Sequence, residues 1–529
     1  MTRDHDPVRD SVTGEAPTVP DAPRTRRRIS LARIAAAMLA VVVAVGGVFV
    51  FRSTGGTSAD SVPTSTAWAA PYVDVTIPPL FAFESPGDHV DDVVLAFVVA
   101  HQTDPCRPAW GAVFDLDDAA SELDMDRRVA RLRQTGKDAV VSFGGAANDE
   151  LAVVCEDDDE LADAYLAVID RYDVTTIDLD IEGDALLDDA ANERRGRAIA
   201  SVQSQRRDAD GDLAVWVTLP VSAEGLTGDG ISALDALLDA GVDVAGVNGM
   251  VMNFGGSREG RSMSESVEAA VDSMANQVTA AWKRRGDHIS EREAFARVGA
   301  TPMIGRNDVV TDVFTLDDAE KLHELAVDRG LGRLSYWSLN RDRPCGTNEE
   351  PIAAASNFCS HEEQDEFAFA RVLDDLPGRA AVAAGADMTW ERIELLEDDP
   401  DHSPYDIWNP ERAFVGGTKV VWHGYVYESK WWNQGSNPEQ PVENPWDTPW
   451  QIVGPVLPED LIDPVEVPRG AEPSWNGEDV YDTGDRVWID GSVYEAKWWN
   501  TGEPPNRPVS NDWDTAWVEI DALEYTNDE

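Results

Sequence analysis

Hydrophobic and polar residues alternate in a repeating pattern over the first two thirds of the chain. Short apolar runs rich in β-branched residues are typical of buried strands, and the longer stretches between them carry apolar residues at helical spacing. Eight runs fit the strand pattern: 72–77, 93–100, 139–145, 176–183, 214–220, 244–254, 296–304 and 332–339. Helices are predicted between them, among them 118–134, 191–207, 264–284 and 316–329. This alternation predicts an α/β fold and favours a (β/α)8 TIM barrel over an open sheet.

One predicted strand carries an acid at every second residue. Residues 175–183 read Thr-Thr-Ile-Asp-Leu-Asp-Ile-Glu-Gly. Successive side chains of a strand point to opposite faces, so Asp178, Asp180 and Glu182 share one face. Neighbouring carboxylates repel and burial disfavours their charge, so this row costs stability. A solvated acidic edge strand is the simpler interpretation, and an acid-catalysis site explains the cost better.

The N-terminal region predicts export. Residues 1–33 are polar and end in a cluster of arginines, and the apolar run 34–51 follows. Its length of about 18 residues is near the lower limit for a membrane-spanning helix, and the preceding arginines predict a cytoplasmic N-terminus. A cleaved signal peptide is the alternative, with a small-residue site at 57–59 inside the linker 52–70. The remainder is expected outside the cell, either anchored by one membrane span or secreted.

The C-terminal region differs from the barrel pattern. A last amphipathic helix is predicted over 362–376, which closes a catalytic domain at 71–376, and an acidic linker follows over 377–401. Beyond it the segment 422–433, Trp-His-Gly-Tyr-Val-Tyr-Glu-Ser-Lys-Trp-Trp-Asn, recurs at 489–500 as Ile-Asp-Gly-Ser-Val-Tyr-Glu-Ala-Lys-Trp-Trp-Asn. We predict two small Trp-rich β-modules at 402–453 and 472–520, joined by a Pro-rich linker at 454–471.

The charge balance limits the partners of the chain. There are 99 Asp and Glu against 43 Lys and Arg, a formal net charge of -56. Such a surface repels nucleic acid and anionic lipid headgroups, so a neutral substrate fits better. Solubility in a salty environment explains the charge without a special function.

Cysteines and histidines point to disulfides and not to a metal. An even number of cysteines in an exported chain suggests disulfides. The favoured pairs are Cys106 with Cys155 and Cys345 with Cys359, while the other two connectivities stay open. The histidines are scattered without a ligand cluster, so no metal and no organic cofactor is implied.

Several motifs together resemble those of one enzyme family. Residues 178–182 match the last three acids of the DxxDxDxE signature of glycoside hydrolase family 18, and Ser142-Phe-Gly-Gly145 matches its SxGG strand. Further matches cover 95–100, 106–111, 302–308 and 334–342. In combination they resemble the bacterial and archaeal chitinase branch of the family.

This resemblance implies a chitinase that hydrolyses β-1,4-linked N-acetylglucosamine polymers with retention, assisted by the acetamido group of the substrate. Glu182 would protonate the glycosidic oxygen, Asp180 would orient the acetamide N–H, and Asp178 would share a proton or hydrogen bond with Asp180. The spacing supports this independently, because three acids on one face cannot all ionise cheaply and one stays available as an acid.

The resemblance also suggests a set of substrate-binding residues and two departures from the family pattern. Trp337 resembles the floor of subsite -1, with a barrel-core role as its alternative; Trp110 would line the cleft or pack beside Cys106. The full set of substrate-binding candidates is Trp337, Met250, Asn253, Asn307, Asp308 and Trp110. Thr175 replaces the first Asp of the signature, which is tolerable because this position is farthest from the chemistry. A Met-x-Met-Asp-Tyr pattern reads Met250-Val-Met-Asn-Phe254 here, and the missing carboxylate and hydroxyl predict a slower enzyme or altered specificity.

The repeated modules resemble chitin-binding modules of carbohydrate-binding families 5 and 12, through the run Tyr-Glu-Ala-Lys-Trp-Trp. Adjacent aromatic side chains suit stacking on sugar rings. The binding candidates are Trp431, Trp432, Trp498, Trp499, Tyr427 and Tyr494, whereas Trp408, Trp450, Trp475 and Trp517 are expected in the module cores. Two modules on linkers would gain avidity on insoluble chitin.

The expected partner is therefore chitin or a chito-oligosaccharide, bound by a monomer. Three alternatives remain. One is a catalytically silent, lectin-like chitin binder, one is an endo-β-N-acetylglucosaminidase acting on N-glycans, and the third is a peptidoglycan hydrolase.

Overall fold

The computed structural model describes the chain from residue 67 onward, with gaps. The described residues are 67–84, 89–209, 211–346, 355–374, 376, 395–400, 402–442, 447–461, 470–489, 492–507 and 515–520. The predicted basic tail, the apolar run 34–51, the site at 57–59 and most of the linker 377–401 lie outside them. Among the described helices, none combines the length and apolar character that crossing a bilayer requires. Contacts divide the chain at residue 63, and the described residues belong to the unit 64–529.

A mainly parallel sheet and its helices form the larger part of this unit. The strands are β1 (Trp68–Ala69), β2 (Tyr72–Asp74), β3 (Val93–His101), β4 (Asp104–Trp110), β5 (Phe114–Asp115), β6 (Ala139–Gly144), β7 (Thr176–Asp180), β8 (Ala214–Ser222), β9 (Gly225–Leu226), β10 (Val244–Met250), β11 (Val298–Thr301), β12 (Gly305–Arg306), β13 (Val313–Phe314) and β14 (Arg333–Leu334). The helices are α1 (Leu116–Glu122), α2 (Met125–Gln134), α3 (Leu151–Val154), α4 (Asp158–Tyr172), α5 (Gly183–Leu187), α6 (Asp189–Asp208), α7 (Gly228–Asp239), α8 (Met263–Arg284), α9 (Glu291–Phe295), α10 (Leu316–Arg329) and α11 (Ala370–Leu373). Short 3-10 helices span Gly255–Arg258 and Leu339–Arg341.

The strand order is that of a barrel-type α/β fold. Parallel neighbours run β1, β14, β11, β10, β8, β7, β6 and β3, and β2 also pairs in parallel with β3. The α/β prediction is therefore confirmed, but the ladder is not closed through a single strand. The segment 68–74 is split, with β1 on β14 and β2 on β3. Pro71 lies between the two pieces and has no N–H to donate to a ladder, which explains the break.

The strands bury both of their faces. Val93 and Leu95 belong to the large apolar cluster shared with the helices, whereas Val94 and Ala96 belong to a smaller cluster with Tyr72 on the other face. On β7 the residues facing the helix-side cluster are Ile177 and Leu179. The acids between them therefore face the inside of the barrel, as the period of two in a strand requires.

Several predicted boundaries are wrong. The predicted helix 118–134 is two helices, because Asp124 takes a left-handed backbone with a φ of 52° between them. The last predicted helix, 362–376, is reduced to α11 in its described part. Phe367 also has a left-handed backbone, and the N–H groups of Phe369 and Ala370 donate to the Asp342 carboxylate instead of continuing a helix.

The predicted disulfides are both present. Cys106 on β4 is bonded to Cys155 after α3, and Cys345 is bonded to Cys359. The favoured connectivity is thus confirmed, and all four thiols are used.

The two repeats fold alike. In the first, here called module 1, β15 (Ala413–Phe414) pairs with β18 (Asn433–Gln434), and β16 (Lys419–Trp422), β17 (Tyr425–Ser429) and β19 (Trp450–Pro455) form a sheet. In module 2, β20 (Val480–Tyr481) pairs with β23 (Asn500–Thr501), and β21 (Arg486–Ile489), β22 (Ser492–Ala496) and β24 (Trp517–Ile520) form the sheet. A 3-10 helix, Pro458–Asp460, follows module 1.

Module 1 packs against α2 of the barrel domain. Lys419 forms an ion pair with Asp124, and Arg127 bridges Asp124 and Asp460. The approach is close, because a Cβ atom at Gly454 would lie 2.4 Å from the carbonyl oxygen of Arg127. Such packing leaves little freedom between the first repeat and the barrel domain.

The repeat supplies a matched pair of variants that tests this attachment. The Lys419–Asp124 pair is largely buried, with exposed fractions of 18% and 7%, whereas Arg486, its counterpart in module 2, pairs with Glu495 at 37% and 34%. We expect Lys419→Met to lower the free energy of unfolding by about 1–3 kcal/mol, because a buried carboxylate loses a partner. Arg486→Met should cost at most about 1 kcal/mol. Thermal unfolding of both variants measures this, and equal destabilisation would contradict it.

Candidate active site

The row of acids extends just past the end of β7. The strand ends at Asp180, but the backbone stays extended at Glu182, with φ of -142° and ψ of 178°, and Glu182 immediately precedes α5. The alternation of side chains therefore continues through Glu182. Asp178 is fully buried, Asp180 almost so, and Glu182 is half-buried at the cleft. The sequence spacing thus becomes a line of carboxyls that runs from the barrel interior to the cleft.

Asp178 is held by four donors. Its Oδ2 accepts from the Tyr72 hydroxyl at 2.7 Å and from Ser142 Oγ at 2.7 Å. Its Oδ1 accepts from Thr218 Oγ1 at 2.6 Å and from Arg333 Nη1 at 2.5 Å. An ionised carboxylate has about four acceptor sites, so all of them are occupied by donors from four other strands. Asp178 is thereby fixed in place.

Asp180 is in the opposite situation. Its Oδ1 is buried without a hydrogen-bond partner in the described part of the chain, and the residue lines the cleft. Burial raises the pKa of Asp180 well above its ordinary value, the charges of Glu182 and Asp178 raise it further, and Arg333 opposes them. The hydrogen bond predicted between Asp178 and Asp180 is not formed. Asp180 is therefore a carboxyl that keeps its proton to a higher pH than an ordinary aspartic acid does, and one of its oxygens has no hydrogen-bond partner in the described part of the chain.

Glu182 is poised as an acid. Burial raises its pKa, and the charge of Asp308 raises it further. A carboxyl with a raised pKa keeps its proton closer to neutral pH, which is what a general acid requires. Asp308 lies in the loop after β12, where its Oδ2 accepts from Asn253 Nδ2 at 3.2 Å.

A cleft of about 400 Å³ lies over these acids. Of the predicted residues, Asp180, Glu182, Met250, Asn253, Asp308 and Trp337 line it. The prediction missed others in the lining, among them Tyr72, Phe97, Thr218 and Met303. Phe97 stacks on Trp337 with ring centres 5.5 Å apart and planes 16° from parallel, so the cleft has an aromatic wall. Tyr72 and Thr218 could have been predicted from the sequence, because each places a polar group within an otherwise apolar strand.

Two predicted residues do not reach the cleft. Trp110 is fully buried, and its Nε1 donates to the Tyr172 hydroxyl at 2.9 Å, so it belongs to the core between β4 and α4. Asn307 is also fully buried. Its Nδ2 donates to the carbonyl oxygens of Met303 and Gly305, which makes it a residue that shapes the loop.

The departure at Asn253 and Phe254 has a structural explanation. Asn253 has a left-handed backbone with a φ of 53°, a conformation that asparagine tolerates well. Its Oδ1 accepts from the N–H of Val309 at 3.0 Å and its Nδ2 donates to Asp308, so the amide ties down the loop that carries Asp308. Phe254 packs in the large apolar cluster and does not line the cleft.

The modules present paired tryptophans to solvent. Exposed fractions are 45% and 63% for Trp431 and Trp432, and 44% and 59% for Trp498 and Trp499. The predicted binding tyrosines lie elsewhere: Tyr427 is buried and Tyr494 is partly buried, each against the core of its own module. Trp450 and Trp517 are buried in those cores, with Trp408 and Trp475 packed against them. Among the described Phe, Tyr and Trp side chains of the modules, the exposed ones are therefore the two adjacent tryptophans of each copy.

Comparisons with known proteins agree on one class. The chain is 34% identical over 314 residues, 58% of its length, to the "Probable bifunctional chitinase/lysozyme" of Escherichia coli strain K12, of which 34% is covered. It is 34% identical over 286 residues to "Endochitinase 11" of Metarhizium anisopliae, covering 52% of each protein. It thus spans about a third and about half of these relatives. No family model matches the chain.

A solved structure is similar to the barrel. The catalytic domain of the hyperthermophilic chitinase from Pyrococcus furiosus matches with a TM-score of 0.50 and 26% identity, over 58% of this chain and 94% of that one. The fold, the acid row and these similarities together support a glycoside hydrolase. The particular relatives are proteins named as chitinases.

The raised pKa of Asp180 predicts how stability depends on pH. Below about pH 4 the carboxyl is protonated in both the folded and the unfolded chain. Above it the unfolded chain releases this proton while the folded chain keeps it, so this group lowers stability as pH rises towards its folded pKa. Asp180→Asn cannot ionise, so its melting temperature relative to the wild type should increase steadily with pH.

Melting curves from pH 4 to 8 measure this difference. Asp117→Asn, at a largely exposed position, is the control for removing one acid. A difference between Asp180→Asn and wild type that does not change with pH would contradict the assigned electrostatics.

Proposed function

We propose that this chain is a family 18 chitinase that hydrolyses β-1,4-linked N-acetylglucosamine polymers with retention of configuration. The observation that carries the proposal is the division of labour in the acid row. Asp178 has all its acceptor sites occupied, Asp180 has a free oxygen at the cleft, and Glu182 has a raised pKa beside it.

The mechanism follows from these states. Glu182 donates its proton to the glycosidic oxygen as the bond to the anomeric carbon breaks. The acetamido carbonyl oxygen of the same sugar forms the new bond to that carbon, giving an oxazolinium ion, and the free oxygen of Asp180 accepts the acetamide N–H. Water, deprotonated by Glu182, then attacks the anomeric carbon from the face that the leaving group occupied, and the bond to the acetamido oxygen breaks. The configuration at that carbon is therefore retained. Asp178 does not act as nucleophile, because its two oxygens are held by four donors.

The substrate class is supported by the aromatic side chains. Trp337 stacked on Phe97 offers a flat apolar wall of the kind on which sugar rings pack. The similarity to relatives named as chitinases supports a polymer of N-acetylglucosamine, and not another glycan, as the substrate. Two disulfides support a location outside the cell, since such bonds persist in oxidising compartments.

Substitution of the acid tests the reaction. Glu182→Gln removes the proton donor with little change in shape, so the release of soluble sugars from chitin should fall by about 100-fold or more. Binding to chitin powder should stay the same. Reducing-sugar release and a pull-down measure the two quantities.

The matched control is Asp184→Asn, an exposed acid two residues further along the chain. It should leave turnover unchanged. Wild-type turnover by Glu182→Gln would refute the mechanism. Parallel assays on peptidoglycan and on an N-glycan separate the alternatives, because the Escherichia coli relative is also named as a lysozyme.

The exposed tryptophans are proposed to bind insoluble chitin. Trp498→Ala with Trp499→Ala removes the pair in module 2, and loss of two stacking rings should weaken retention on chitin powder about 10-fold. Hydrolysis of a short soluble chito-oligosaccharide should not change, because these residues lie outside the cleft. An unchanged pull-down would contradict the proposal. These substitutions are preferable to deletion of both modules, which would uncover α2.

A further inference from the structure

The interior of the barrel contains a buried arginine that the proposed reaction does not use. Arg333 starts β14 and is fully buried. Its three donor groups point to three different acceptors: Nη1 to Asp178 at 2.5 Å, Nη2 to the Tyr72 hydroxyl at 2.8 Å, and Nε to Ser335 Oγ at 2.9 Å. A fork of donors at fixed angles is a property of arginine that lysine does not share.

Aromatic rings surround the same guanidinium. Its carbon lies 4.7 Å from the ring centre of Trp68, 5.4 Å from that of Tyr72 and 5.8 Å from that of Trp216. The neighbouring strand leaves room for it, because a Cβ atom at Gly299 would lie 2.9 Å from Arg333 Cβ. Barrel interiors are ordinarily filled by branched apolar side chains. The interior of this barrel instead contains the charged side chain of Arg333.

The direction of the hydrogen bonds follows from the chemistry of the groups. A guanidinium only donates, so the Tyr72 oxygen accepts from Arg333, and its own hydrogen is free to point at Asp178 Oδ2, 2.7 Å away. Arg333 thus contacts Asp178 twice, once directly and once through Tyr72. Neither contact places Arg333 at the cleft, and it is not among the residues that line it.

We infer that Arg333 is a positioning residue, which fixes Asp178 below the cleft so that Asp180 and Glu182 are the acids of the row that are left to meet the substrate. This inference rests on the proposed function. It assigns to the eighth barrel strand a part in the reaction that the acid motif on β7 does not reveal.

The electrostatics agree with this role. The charged and titratable groups around the row are Tyr72, Asp178, Asp180, Glu182, Asp308, Arg333 and, beside Asp308, Arg341. Of these, Arg333 is the group that opposes the raised pKa of Asp180. Without its positive charge that pKa rises further, so ionisation of Asp180 moves to higher pH.

The experiment compares substitutions of Arg333 with those of another buried arginine. Arg195 pairs with Glu150, which also accepts from Tyr165, and both members of the pair are buried. The variants are Arg333→Met, Arg333→Lys, Arg195→Met and Arg195→Lys. The first measurement is kcat/KM against pH on a soluble chito-oligosaccharide, and the second is the melting temperature against pH.

We expect the limb of the Arg333→Met profile that reports Asp180 to move upward by about one pH unit, with a loss of kcat/KM of about 100-fold. Arg333→Lys keeps the charge without the fork, so its profile should stay in place while kcat falls. Arg195→Met and Arg195→Lys should lower the melting temperature without shifting the profile of kcat/KM against pH. The melting temperature of Arg333→Met should continue to fall up to a higher pH than that of the wild type.

Each outcome decides something. An unshifted profile for Arg333→Met, or an equal shift for Arg195→Met, overturns the inference, as does wild-type kcat for Arg333→Lys. If Arg333→Met does not fold, Arg333→Lys still tests the need for the fork. If the wild type does not turn over the oligosaccharide, the proposed function fails, and the melting curves alone test the link between Arg333 and Asp180.

Discussion

The ion pair between Asp178 and Arg333, both fully buried, is the constraint on which the rest of the barrel depends. A charge inside a protein is costly unless it is paired and its hydrogen-bonding capacity is filled. Tyr72, Ser142 and Thr218 fill the capacity of the carboxylate. Aromatic rings from other strands surround the cation. Strands from around the barrel therefore contribute to one polar centre, which replaces the apolar filling usual for this architecture.

The same pair sets the electrostatics of the cleft. The charge of Asp178 is paired with Arg333, and both acids nearer the cleft have raised pKa values. Burial and the charges of Glu182 and Asp178 raise the pKa of Asp180, whereas burial and the charge of Asp308 raise the pKa of Glu182. Their cost to stability is the physical basis of the proposed chemistry, because a neutral carboxyl at the cleft can give a proton. The loop with Asp308 adds to this, and Asn253 holds the loop in place. Stability given up at the site is compensated elsewhere by the large apolar core.

The duplicated modules have diverged in how they use one sheet. Both copies keep the exposed tryptophan pair and a lysine over the first ring of that pair. In module 1 the position of Lys419 serves the contact with α2, whereas the equivalent Arg486 pairs within its own sheet. Tyr405 and Tyr425 of module 1 face arginines of α2, and residues 472 and 492 at the equivalent positions are Glu and Ser. Module 2 therefore does not repeat the side chains with which module 1 contacts the barrel, whereas the exposed tryptophan pair is retained in both copies.

Local pattern determined much of this protein. The period of two along β7 and the residues after it placed three acids on the inner face. The helical spacing of apolar residues predicted both ends of α10 correctly, and the internal repeat predicted two similar modules with tryptophans at their surface. These features depend on residues close in sequence, whose geometry the backbone alone fixes. Tertiary structure decided the rest. Arg333 and Asp178 are 155 residues apart, so only the folding of the sheet around its interior brings them together. Distant partners also decide the positions of Trp110, Asn253 and Phe369, which bond to Tyr172, Val309 and Asp342 respectively. In each case a group from elsewhere in the chain competed with the local preference.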